Sequence, residues 1–127
     1  EPGATAPLLD RETLEELRAA VGPGRLPRLI SVFTAETKER VRRMHALTDP
    51  HRIEDEAHSL KAAAATFGAI ALRDAARALE VACKSGEPDS WRRILDVLPG
   101  LADRSIAAFP LARAEAKAKQ ERDQKGR

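Results

Sequence analysis

Three imidazoles occur in this chain, at His45, His51 and His58, and the neighbours of one of them have chemical content. His58 is followed by Lys61 at i+3, Ala62 at i+4 and, one turn further on, Ala65. On a helix such positions share one surface. An exposed neutral imidazole is a nucleophile near neutral pH, because its ordinary pKa is about 6.5. A lysine one turn away can offset the charge of a phosphoryl group placed on that ring. The small side chains at 62 and 65 leave the ring standing clear, so the active site of another protein could close over it. Spacing alone also fits a solvated, alanine-rich helix face, and both readings stand at this point.

Competing chemistries fare worse. A carboxylate-bridged metal centre in a helical bundle needs two Glu-x-x-His pairs facing inward. This chain offers one Asp-x-x-His, Asp55 with His58, and its histidine is expected to face outward. The single cysteine, Cys83, has no His or Cys partner at ligand spacing, falls on an apolar stripe and reads as a small core residue. His45 and His51 flank a predicted interhelical loop and read as surface residues. No Walker-type or kinase glycine-rich loop is present, so the chain is not expected to phosphorylate itself from ATP.

The elements that position these residues can be read from periodicity. Asp10 is a good N-cap for a first helix to about Val21, with Leu9 and Leu14 at hydrophobic-staple positions. Gly22, Pro23 and Gly24 end it. A second helix is predicted from about Arg25 to Leu47, with Leu26, Ile30, Phe33, Val41 and Met44 on one stripe and Pro27 in its first turn. Asp49 and Pro50 supply the N-cap and N1 of a third helix, which runs to about Phe67. Its stripe is Ile53, Ala57, Leu60, Ala64 and Phe67, which puts His58 about 140° from the stripe centre. Gly68 follows where a left-handed C-cap belongs. A fourth helix, from about Ala69 to Lys84, carries Leu72, Ala76, Leu79 and Cys83 inward. A fifth begins near Asp89 with Trp91, Ile94, Leu95, Leu98 and Ala102 inward; Pro99-Gly100 is expected to kink or break it, and Pro110 to interrupt it again.

Composition agrees with an all-α chain. Alanine occurs 24 times, valine five times and tyrosine never, so the best helix former dominates and strand formers are scarce. At 127 residues, with 33% charged and 43% hydrophobic, the chain fits one ordinary domain. Four long amphipathic helices with short connections predict an antiparallel up-down-up-down four-helix bundle with an additional short N-terminal helix. The N-terminal helix is expected to cap one end or lie alongside. Residues 1–9 read as a lead-in, 10–110 as the bundle, and 111–127 as a charged helix extension or tail.

The basic pI of about 9.0 is a property of that tail. From Leu111 to Arg127 the net charge is +3, leaving −1 for the other 110 residues, and no aromatics interleave with the basic positions. A nucleic-acid partner is therefore not expected. No apolar run approaches the ~18 residues of a membrane span, and no signal-peptide pattern opens the chain. One cysteine excludes an internal disulfide, and a cytoplasmic setting without membrane association is expected. The chain opens on Glu1 rather than Met, which reads as processing, excision from a longer protein or trimming.

The longer string Ala57-His58-Ser59-Leu60-Lys61-Ala62-Ala63-Ala64-Ala65-Thr66-Phe67-Gly68-Ala69, followed by Leu72 and by Leu79-Glu80, resembles the histidine phosphotransfer (HPt) domain. The family pattern is an Ala-His-x-Leu-Lys-Gly core, a Gly-Ala pair seven residues beyond the lysine, and a later Leu-Glu. The likeness is strongest over 53–87 and extends loosely back to Leu14. Where the family usually has glycine after the lysine, this chain has Ala62, which leaves slightly less room for a docking partner. The resemblance implies a phosphorelay intermediate of two-component signalling. It would accept a phosphoryl group on His58 from the aspartyl phosphate of a receiver domain, or from a histidine kinase pathway, and pass it to another response-regulator receiver. Lys61 would neutralise phosphoryl charge, and Ala62, Ala65 and Glu54 would lie on the docking face. In the related domain of chemotaxis kinases a glutamate at the place of Glu80 can bond the other histidine nitrogen; a flank glutamate in surface ion pairs is the alternative. The implied partners are receiver domains and a hybrid sensor histidine kinase, with Mg²⁺ supplied by the receiver and no cofactor of the chain's own. A monomer is the family's usual state. A helical interaction module without phosphotransfer is the alternative function.

Overall fold

The computed structural model describes residues 7–126; within 111–120 only the backbone is described. Five helices follow one another among these residues: α1 (Arg11–Val21), α2 (Leu26–Ala46), α3 (Pro50–Thr66), α4 (Ile70–Ser85) and α5 (Pro88–Lys125). The predicted lead-in, apart from Pro7 to Leu9, lies outside the described residues.

The helix starts follow from local chemistry. Asp10 Oδ1 accepts from the backbone N–H of Glu12 at 3.2 Å, while Thr13 Oγ1 donates to Asp10 Oδ2 at 2.6 Å. Asp49 Oδ1 caps α3 by accepting from the His51 N–H at 3.0 Å, and Pro50 fills a first-turn position whose N–H has no helical partner anyway. At the other end of α3, Gly68 has φ +71°, and a Cβ there would lie 2.8 Å from the Asp10 carbonyl oxygen. Both the left-handed backbone and the close approach require glycine. The approach is what docks α1, since the Asp10 N–H donates to the Gly68 carbonyl at 2.7 Å. The N-terminal helix thus caps the bundle at the α3–α4 turn, with Leu9, Leu14, Leu17 and Val21 packed half-buried against the core.

Helices α2 to α5 form the antiparallel four-helix bundle. The most extensive contact joins α3 to α4, followed by α4 to α5 and α2 to α5. The core consists of the stripes that periodicity picks out, among them Phe33, Met44, Ile53, Leu60, Leu72, Leu79, Trp91, Leu95 and Leu98. Phe67 and Ile94 are only half-buried, although Phe67 stacks on Phe33 with centroids 4.6 Å apart. Thr37, Ser105 and Phe109 are buried as well. Alanines at 57, 64 and 76 keep the α3–α4 contact thin, and interaxial distance is set by the side chains at the crossing.

The break expected at Pro99-Gly100 is absent, and so is an interruption at Pro110: α5 runs through both prolines. A proline inside a helix removes one hydrogen bond and costs about 3 kcal/mol. Burying one leucine side chain contributes about 1.5–3 kcal/mol. Leu95 and Leu98 before Pro99, and Ala102 and Phe109 after it, are all buried on the same face. Packing on both sides of the proline outweighs its local cost.

Candidate functional site

His58 lies midway along α3. Because Ile53, Ala57, Leu60 and Ala64 hold the opposite face in the core, the imidazole is turned outward, and its side chain is 69% exposed. Glu80 sits one residue past the buried Leu79 on α4, at the edge of that helix's inner face. The thin α3–α4 contact brings the two together, with His58 Nδ1 3.2 Å from Glu80 Oε2. Lys61, one turn beyond His58, places its Nζ 2.7 Å from Glu80 Oε1 as an ion pair, off the angle of an aligned hydrogen bond. Glu80 itself is only 10% exposed in its side chain.

The electrostatics follow from this packing. The Lys61 ammonium beside it lowers the Glu80 pKa from its ordinary 4.5; burial opposes the shift, and the contact with His58 adds to it. The carboxylate is therefore ionised at neutral pH. An ionised carboxylate only accepts, so in the neutral ring Nδ1 carries the proton and donates. The Nε2 lone pair is left on the side away from Glu80.

The surrounding face is small and open. Ala62, Ala65 and Ser59 are exposed on α3. Glu54, placed by the sequence on a docking face, is half-buried and lies 3.7 Å from Lys84 Nζ across the α3–α4 seam. On the other flank of α3, Glu56 is held by Arg43 at 2.9 Å and Arg40 at 3.4 Å from α2. His45 and His51 are exposed; His51 lies two turns before His58 on α3, about 10 Å along the helix, and His45 Nε2 is 3.5 Å from Asp96 Oδ1 on α5. Cys83 is buried, and desolvation pushes its thiol up to about 11. Among the described residues, no three His, Cys, Asp or Glu side chains are grouped to hold a metal ion, and no helix is long and apolar enough to cross a membrane. Sequence reasoning missed Arg77, Val81 and Lys84 on α4, which face outward beside the site. The phase of the Leu72–Leu79–Cys83 stripe was the signal that could have located them.

A histidine presented on the outer face of an antiparallel four-helix bundle, with a lysine three residues on, defines the class of histidine phosphotransfer bundles. This chain belongs to that family: residues 28–108, more than half its length, match the Hpt domain. Its fold is similar to that of a histidine-containing phosphotransfer protein, ZmHP2, from maize. The TM-score is 0.72 at 17% identity, covering 87% of this chain and 86% of that one. No curated protein matches the chain.

Proposed function

We propose that this chain is a phosphorelay intermediate. It accepts a phosphoryl group at His58 Nε2 from the aspartyl phosphate of a receiver domain and passes it to a second response-regulator receiver. The observation that carries the reading is the pairing of an exposed ring with a buried, ionised partner: Glu80 holds Nδ1–H while Nε2 faces outward. In the forward step the Nε2 lone pair forms the N–P bond as the acyl P–O bond breaks, and the electron pair leaves on the aspartate carboxylate. The ring then carries positive charge with Nδ1 still protonated, and the Glu80 carboxylate stabilises it. Lys61 offsets the charge of the incoming phosphoryl oxygens. Transfer of this kind is mostly positioning and electrostatics, and the receiver brings Mg²⁺. The Hpt family membership supports the role.

The test is to incubate the chain with a receiver domain charged on its aspartate, in the presence of Mg²⁺, and follow acid-labile, base-stable phosphate. Wild type is expected to become labelled. His58→Gln is expected to abolish labelling while changing stability by no more than about 0.5 kcal/mol, because the position is exposed. Labelling of the variant at the wild-type rate would remove His58 from the mechanism. A wild-type chain that takes no phosphate leaves the helical interaction module as the reading.

A further inference from the structure

Three large apolar side chains are exposed among the described residues: Val32 on α2, Val81 on α4 and Val97 on α5. One of them shares a face with His58. On α3, Glu56 points toward α2, through Arg40 and Arg43, while Glu54 and Lys61 point toward α4, through Lys84 and Glu80. His58 lies between these flanks on the outer side, about 140° from the α3 core stripe. On α4, Glu80 marks the side toward α3, and Val81 is one residue, hence about 100°, further out. Arg77 lies about 40° back from Val81 on the same outer side. His58 Nδ1 and Glu80 Oε2 are in contact, and Val81 follows Glu80 by one residue's rise, about 1.5 Å, which puts it beside the His58–Glu80 pair. Packed helices are roughly 8–10 Å apart, so Val81 stands on the order of 10 Å from His58 across the seam.

The partner's size then decides what must be covered. Even a transient interface near the low end of the range buries about 500 Å² on each side, a disc of about 13 Å radius. A domain that brings an aspartyl phosphate to His58 Nε2 centres such a disc on His58. Val81 falls inside it. Arg77 makes no ion pair among the described residues and offers a positive charge to a partner whose reacting group is an anion. Val32 lies on α2, along the other flank of α3, and Val97 on α5, along the other flank of α4, so neither is on the two helices that share the His58–Glu80 contact.

Resting on the phosphorelay reading above, we infer that Val81 is the apolar anchor of the receiver-docking surface, which extends from α3 across the seam onto α4. The occupant is a receiver domain in the act of transfer. Val81 is 66% exposed and Val97 63%, so the two valines form a matched pair for a test.

The experiment compares wild type, Val81→Asp and Val97→Asp with two donors. The small donor is phosphoramidate, which needs no docking: its P–N bond breaks and ammonia leaves as the Nε2–P bond forms. The large donors are the receiver domains encoded in the same genome, charged with acetyl phosphate in the presence of Mg²⁺. For Val81→Asp the expected result is a loss of at least tenfold in the rate from the receiver, with phosphoramidate labelling of His58 within twofold of wild type. Val97→Asp is expected to stay within twofold with both donors. Wild-type transfer from the receiver to Val81→Asp overturns the assignment, and so does an equal loss in Val97→Asp. If phosphoramidate labels His58 but no receiver does, the docking assignment is wrong while the reactivity of His58 stands. If neither donor labels wild type, the phosphorelay reading fails and takes the anchor with it.

Discussion

At Glu80 one carboxylate serves two partners, with Oε2 on His58 Nδ1 at 3.2 Å and Oε1 on Lys61 Nζ at 2.7 Å. Replacing it by glutamine keeps the shape and removes the charge. The amide can accept from Nδ1–H or donate to Nδ1, so the ring tautomer is no longer fixed. Glu80→Gln is expected to slow transfer by about one to two decades, because a charge-assisted hydrogen bond is worth about 1.5–3 kcal/mol and 1.36 kcal/mol is tenfold. The accompanying signature is a mixed-tautomer pattern in the ¹⁵N shifts of the His58 ring, which a merely structural role would not produce. The same carboxylate gives a pH dependence whose sign is set by its lowered pKa. A depressed folded-state pKa contributes stability above the unfolded value and loses it as pH falls through the folded value. Wild type should therefore lose more stability than Glu80→Gln as pH drops from about 5 toward 3, read from urea midpoints. An equal loss in both chains would show that the pair does not stabilise the fold. His58 and Lys61 were legible in the sequence because they sit one turn apart on one helix. Glu80 is 22 positions from His58. Its pairing depends on the register of α3 against α4, which packing sets, and residue pattern alone left two readings open. Glu54 shows the same limit: its helix was legible, but its half-buried position and its partner Lys84 depend on the next helix.

The register that joins those two helices depends on the turn between them, and Gly68 is its least replaceable residue. Gly68→Ala forces a side chain into left-handed backbone at φ +71° and places its Cβ 2.8 Å from the Asp10 carbonyl oxygen, which is backbone and cannot swing aside. A non-glycine residue in such a conformation costs about 1–3 kcal/mol before any clash is counted. The variant is expected to lose at least that much in urea denaturation and to loosen α1, whose N-cap residue Asp10 donates its N–H to the Gly68 carbonyl. Unchanged stability would mean that α1 contributes nothing at this end. Capping chemistry of this kind is local, which is why the starts of α1 and α3 and the end of α3 could be read to within a residue or two. The continuity of α5 could not be. Proline is a local signal for a break, whereas the buried residues on either side of Pro99 that override it belong to a helix packed against α2 and α4, distant in sequence.

Across the whole molecule, the long fifth helix poses the question of how much of it the bundle needs. Its 38 residues span about 57 Å, against about 32 Å for the 21 residues of α2, so it continues well past its neighbour. The core contribution is concentrated in the first part. Trp91, Leu95, Leu98, Ala102, Ser105 and Phe109 are buried, and Phe109 meets Phe33 edge-on with centroids 5.8 Å apart. Beyond Pro110 the sequence holds one leucine and four alanines among charged and polar residues, with no large apolar stripe. A chain ending at Pro110 therefore keeps Phe109 and is expected to melt close to wild type and to transfer phosphate at a similar rate in physiological salt. At low salt it should be phosphorylated more slowly by an acidic receiver, because the removed segment carries a net +3, and long-range attraction is screened within about 8–10 Å at physiological ionic strength. A chain ending at Arg104 loses Ser105 and Phe109. Removing a buried phenylalanine costs about 3–5 kcal/mol, a large part of the 5–15 kcal/mol that holds a typical domain together. That shorter chain should be largely unfolded by circular dichroism at 37 °C and should accept no phosphate. The two cuts are only six residues apart, so they place the functional end of the bundle at Phe109. A collapse of transfer in the longer chain at physiological salt would instead show that the segment after Pro110 belongs to the docking face.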